Sequence, residues 1–144
     1  MNKRMFISLC LFAVFAVGFT VQAYAKESVR TAEYISIEPL WSHTISIAAG
    51  LEINNGRATM AGSVIGRSGT ESISVNARLD RINANGTITN IGSWNNLNTT
   101  GNTWSWERVH YVARGHDYRL TLTATVFRNG ESETVSMSRT TRAN

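Results

Sequence analysis

Beyond residue 30 no stretch holds an apolar period of 3.6 residues for three turns, while a period of two recurs along the whole segment. That is the pattern of half-buried strands, not of amphipathic helices. Ile45, Ile47, Ala49, Leu51 and Ile53 alternate with Ser46, Ala48, Gly50 and Glu52. Ala58, Met60, Gly62 and Val64 alternate with Thr59, Ala61 and Ser63. Ile73, Val75, Ala77 and Leu79 form a third set, and Tyr118, Leu120, Leu122, Ala124 and Val126 form the clearest one, against Arg119, Thr121, Thr123 and Thr125. Thr87 to Trp94 predicts a weaker strand, Asn95 to Asn102 a polar loop, and Thr103 to Val112 an aromatic-rich strand. Glu133 to Arg139 closes the series with Val135 and Met137 inward.

Turn residues separate these runs. Asn54-Asn55-Gly56 and Asn129-Gly130 are hairpin signals, because Asn and Gly accept the positive φ that a two-residue turn demands. Gly66-Arg67-Ser68-Gly69, Asn83-Ala84-Asn85-Gly86 and Arg114-Gly115-His116-Asp117 supply the other breaks. Seven short strands of this kind predict an all-β, antiparallel, seven-stranded sandwich. Tyr118 opens the sixth strand after a Gly turn, as a tyrosine corner does in immunoglobulin-like and fibronectin-like sandwiches, and is expected to serve structure by bonding a backbone group upstream. The runner-up architecture is a small closed barrel.

The N-terminus reads differently. Lys3 and Arg4 precede an apolar run, Met5 to Val21, and Ala23-Tyr24-Ala25 gives a small-x-small cleavage pattern, so residues 1–25 are expected to be a cleaved signal peptide, with cleavage after Ala25. Cys10 lies early in the run and would leave with it. The exported chain is then expected to hold its fold without disulfides, by its core alone. Residues 26–40 have weak patterning, with Ile35 and Ile37 before Pro39, and read as an N-terminal arm to a domain spanning 41–144. No segment after the signal predicts insertion into a membrane.

Removing residues 1–25 from the 144 leaves 119, and the loss of Lys3 and Arg4 lowers the formal charge from +4 to +2. Eleven of the twelve remaining cations are Arg, and they are dispersed along the chain, whereas a nucleic-acid binder concentrates its basic residues in a stripe. Nucleic acid is therefore not an expected partner.

Catalytic chemistry finds little to stand on. His43, His110 and His116 have neither strand nor helix ligand spacing, so no metal or other cofactor is expected. The acids fall at turns and at positions read as outward, no Ser lies in a nucleophile elbow, and no Gly-rich phosphate loop is present. The expectation is a non-enzyme; a hydrolase assembled from distant residues is the least favoured reading. Two surfaces remain. Trp104 and Trp106 lie two apart and share a strand face, with Trp94, Arg108 and Tyr111 as expected neighbours. They form a candidate ligand platform, with core packing as the competing reading. Thr121, Thr123 and Thr125, extended by Ser72, Ser74, Asn76, Thr134, Ser136 and Ser138, would make a hydroxyl-rich face if the third, sixth and seventh strands are neighbours.

The chain after the signal resembles an uncharacterised family of small secreted immunoglobulin-like β-sandwich proteins, mostly from Gram-positive bacteria. The resemblance lies in Trp41 with Ile45 and Ile47, Leu51-Glu52-Ile53 before a Gly turn, Ala58-Thr59-x-x-Gly62-Ser63-Val64, Gly92-Ser93-Trp94 and Tyr118-Arg119-Leu120. It implies fold and export, and brings no activity with it. The expected function is a secreted binding or surface-interaction module, its partner a cell-envelope glycan or protein; the alternative is a bacteriocin-like antagonist.

Overall fold

The computed structural model describes residues 41–144. The expected signal peptide, Cys10 and the arm at 26–40 lie outside the described residues. The seven strands are β1 (Thr44–Asn54), β2 (Arg57–Gly66), β3 (Thr70–Ile82), β4 (Ile88–Thr100), β5 (Thr103–Tyr111), β6 (Asp117–Arg128) and β7 (Glu131–Arg142). All pairings are antiparallel. They make two sheets, of order β1-β2-β5 and β4-β3-β6-β7.

Alternation explains the core. Ile47, Leu51, Ile53, Ala58, Met60 and Val64 from the first sheet face Ile73, Val75, Ala77, Leu79, Leu120, Leu122, Ala124 and Val126 from the second, all of them buried. Each fully buried Leu, Ile or Val contributes about 1.5–3 kcal/mol relative to exposure. Gly62 occurs in this set because its place is taken: a Cβ there would lie 2.6 Å from Leu122 Cδ1 and 2.9 Å from Trp104 Cζ3.

The turns follow their residue types. Asn55 and Gly56 have φ of 51° and 76°, and Asn129 and Gly130 have 54° and 75°. Both are therefore two-residue type I′ hairpins, whose twist matches that of the strands they join. The chain crosses between the sheets at Arg67–Gly69, Gly101–Asn102 and Val112–His116. At the last crossing the Tyr118 hydroxyl donates to Ala113 O at 2.9 Å, with the ring 1% exposed. This is the geometry expected of a tyrosine corner.

Three expectations are corrected. Asn95–Asn102 is not a loop: strand β4 continues to Thr100, with Leu97 opposite Val75 and Trp94 opposite Ala77. Register shifts against β3 between Val75 and Ala77 and between Leu79 and Asp80 hide the strand from a search for strict alternation. Ile45 is not inward. A register shift between Thr44 and Ser46 buries Thr44 and leaves Ile45 57% exposed. Nor are all acids exposed. Asp80 keeps the outward phase, opposite Arg119, yet is buried, accepting from Arg78 Nε at 2.7 Å and Asn90 Nδ2 at 3.1 Å. Glu133 lies opposite buried Val126, in the inward phase of β7.

Candidate functional site

Two surfaces carry unusual side-chain groupings. The first is the seam where edge strand β4 of one sheet meets edge strand β5 of the other. On β5, Trp104, Trp106, Arg108 and His110 lie opposite Val64, Gly62, Met60 and Ala58, and so share the inward face. Trp104 is 5% exposed and belongs to the core. Trp106 stacks on it at 6.4 Å between ring centroids, 18° from parallel. Trp94 reaches the same place from β4, 5.6 Å from Trp106 and 6.0 Å from His110. The Arg108 guanidinium lies 5.3 Å above the Trp94 ring, a cation–π contact. Gly92 makes room for that indole: a Cβ there would meet Trp94 Cη2 at 2.8 Å.

The tryptophans thus fill and close the open side of the sandwich. Trp94 and Trp106 remain half-buried and Arg108 exposed. Tyr111, 76% exposed, stands in the opposite phase of β5. Of the five residues singled out in the sequence, the structure therefore brings Trp94, Trp106 and Arg108 together, places Trp104 beneath them, and leaves Tyr111 apart.

The second surface is the outer face of the β4-β3-β6-β7 sheet. Strands three, six and seven are neighbours, so the hydroxyl-bearing residues fall in register. Asn98, Ser74, Thr125 and Thr134 make one row across the four strands, and Asn76, Thr123 and Ser136 the next across three. Thr125 and Thr134 hydroxyls lie 3.2 Å apart, and Ser136 Oγ donates to Thr123 Oγ1 at 3.1 Å. The neighbouring row sets Thr100, Ser72, Phe127 and Ser132 side by side. Around Phe127, which is 39% exposed, lies a shallow depression of about 710 Å³ lined by Ser72, Ile73, Ser74, Asn98, Thr99 and Thr100. None of its lining residues is charged. Sequence reading missed Phe127. Its outward phase on β6 was legible, but its neighbours on β4 lay in the stretch taken for a loop.

A third grouping is structural. The Glu133 carboxylate accepts from the backbone N–H groups of Ser42, His43 and Thr44 at 2.6, 3.0 and 2.9 Å. Thr141 Oγ1 donates to Leu51 O at 2.9 Å near the other end of β1. Two side chains of the last strand thus hold the first. Burial opposes ionisation of Glu133, but the donated bonds outweigh it and its carboxyl titrates below the ordinary range.

Among the described residues no three His, Cys, Asp or Glu side chains gather as metal ligands, and no helix is long and apolar enough to cross a membrane. No family model matches this chain, and no curated protein matches it. Among solved structures, the solution structure of R. palustris CsgH is similar, with a TM-score of 0.42 and 14% identity over 65% of this chain and 88% of that one.

Proposed function

We propose that this chain is an exported, non-enzymatic sandwich of the immunoglobulin or fibronectin type that binds an uncharged, hydroxyl-rich ligand, a cell-envelope glycan, on the outer face of the β4-β3-β6-β7 sheet. The observation that carries this reading is Phe127, exposed in an uncharged depression lined, Ile73 apart, by hydroxyl- and amide-bearing residues. A sugar ring has an apolar face for such an aromatic and equatorial hydroxyls for such a rim. The strand order and the Tyr118 corner support the finer assignment of fold. The charged start, apolar run and Ala-x-Ala pattern of residues 1–25 support export. Likeness to the small secreted Gram-positive family accords with both.

At the seam, by contrast, the rings are engaged with one another and with Arg108. Trp94 and Trp106 therefore serve as the comparison in the test. Purified chain is incubated with isolated wall polysaccharide, beside Phe127→Ala, Trp94→Ala and Trp106→Ala variants checked for folding. Retention by wild type and loss with Phe127→Ala alone is the expected result. Loss confined to a folded Trp94 or Trp106 variant would move the site to the seam. No retention of wild type would remove the reading, and growth inhibition of related strains would then test the released-antagonist alternative.

A further inference from the structure

A sheet with free edges must protect them or use them, because each edge presents a row of unpaired N–H and C=O groups. Three of the four edges here are blunted. Strand β4 is interrupted by two register shifts, with Asn96 at φ 57°. Strand β1 carries a register shift at Ile45 and is held by Glu133 and Thr141. Strand β5 is regular, but it carries Glu107 at its middle, so antiparallel self-pairing about that residue would set like charges opposite each other.

Strand β7 is different. It runs from Glu131 to Arg142, pairs with β6 without a single register shift, and has no hydrogen-bonded strand on its other side among the described residues, β1 lying against its inner face through Glu133 and Thr141. It contains no Pro, and between Glu133 and Arg139 it carries no charge. Its hydrogen-bonding phase follows from the turn that starts it. Across a two-residue hairpin loop the flanking pair, here Arg128 and Glu131, is a hydrogen-bonded pair. Alternation then directs the backbone groups of odd-numbered β7 residues toward β6. Those of Ser132, Thr134, Ser136, Ser138 and Thr140 point outward, and all five residues are exposed.

We propose that this edge is a self-association surface, on which β7 of a second copy pairs antiparallel about a two-fold axis at Ser136 to continue the sheet from four strands to eight. The register is set by complementarity. Centring on Ser136 places outward-bonding residues opposite outward-bonding residues, Thr134 against Ser138 and Ser132 against Thr140, so that each pair exchanges two backbone bonds. On the inner face it sets Glu133 opposite Arg139 and Val135 opposite Met137, each contact occurring twice by symmetry. Glu131 then lies diagonal to Arg139. Centring one pair further along, on Met137, would set Val135 against Arg139 and lose the charge match. A mixed-sign strand that is its own complement fits another copy of itself better than an arbitrary extended peptide.

The test is sedimentation equilibrium of the chain as purified from a secreting host, over micromolar to millimolar concentration, with amide exchange on the same samples. A concentration-dependent monomer–dimer equilibrium is expected. In the dimer, the amides of Thr134, Ser136 and Ser138 should gain protection. Ser136→Pro removes the central outward N–H while leaving the β6 ladder intact, and should be monomeric throughout. Arg139→Glu sets like charges opposite Glu133 and diagonal to Glu131 and should raise the dissociation constant at least tenfold at low salt. A chain that stays monomeric, a dimer indifferent to both substitutions, or protection of those amides in the monomer would each overturn the proposal; the last would mean that another segment of the same chain occupies the edge.

Discussion

Replacing Gly62 by Ala is a direct test of how tightly the two sheets meet. Gly62 sits mid-strand on β2, opposite Trp106 across the ladder. An added Cβ would stand 2.6 Å from Leu122 Cδ1, 2.9 Å from Trp104 Cζ3 and 3.2 Å from Trp104 Cη2. Carbon atoms settle at about 3.5–4.0 Å, so the methyl would overlap by nearly 1 Å on two sides. Leu122 is fully buried and Trp104 nearly so, which leaves neither an outward escape. Overpacking of this kind costs about 1–3 kcal/mol. The stiffer unfolded chain returns about 0.4–1 kcal/mol. A net loss of about 1–2 kcal/mol remains, or about 5–15 °C in Tm for a domain near one hundred residues. Gly50→Ala supplies the control. It has the same chemistry on β1, but its Cβ would meet Ala61 Cβ at 3.6 Å, an ordinary contact. That variant should match or slightly exceed wild type. Urea unfolding with an unchanged m-value reads both. Equal stability of the two variants would refute the claim that Gly62 is there to admit Leu122 and Trp104.

Other outcomes follow from single groups. Tyr118→Phe should cost about 1–2 kcal/mol by leaving Ala113 O without its hydroxyl donor, measured as a lower urea midpoint. Asp80→Ala removes the buried acceptor of Arg78 and Asn90, whose donors solvent can reach, and should cost only about 1 kcal/mol on the same assay. For Glu133 the sign is set by a folded-state pKa below the ordinary carboxyl value. Its contribution is complete above that ordinary value, near 4.5, and is lost as pH falls through the folded pKa. Wild type minus Glu133→Gln in unfolding free energy should therefore be constant at neutral pH and shrink as pH falls below about 4; a difference that grows toward low pH would contradict the bond geometry.

Much of the fold could be read from the chain because most strands obey the simple rule. In β2, β3 and β6 nearly every residue expected inward is buried, from Ala58 through Leu79 to Val126. Asn-Gly turns and Tyr118 do what their chemistry predicts. Two of the misreadings share a cause: a bulge shifts the phase, and periodicity cannot see it. That is why Ile45 emerged and an Asn-rich stretch paired against β3 was taken for a loop; Asp80 kept its outward phase and is buried by its partners Arg78 and Asn90. The functional surfaces were only half legible. Spacing put Trp104 and Trp106 on one face but could not tell which ring the core would take. The hydroxyl rows needed the strand order, and the depression at Phe127 needed β4 to be a strand. Glu133 was unreadable, since its three partners stand 89 to 91 residues away.

That separation also bears on the order of assembly. A strand made first is held by side chains made last. While the chain emerges from N to C, β1 can form its hairpin with β2, but the Glu133 carboxylate and the Thr141 hydroxyl do not yet exist beside it. Closing so long a loop carries an entropic cost that grows with the logarithm of its length. Folds rich in such distant pairings complete slowly. The β1 margin thus depends on side chains of the last strand, so truncation before Glu133 should loosen the opposite end of the chain.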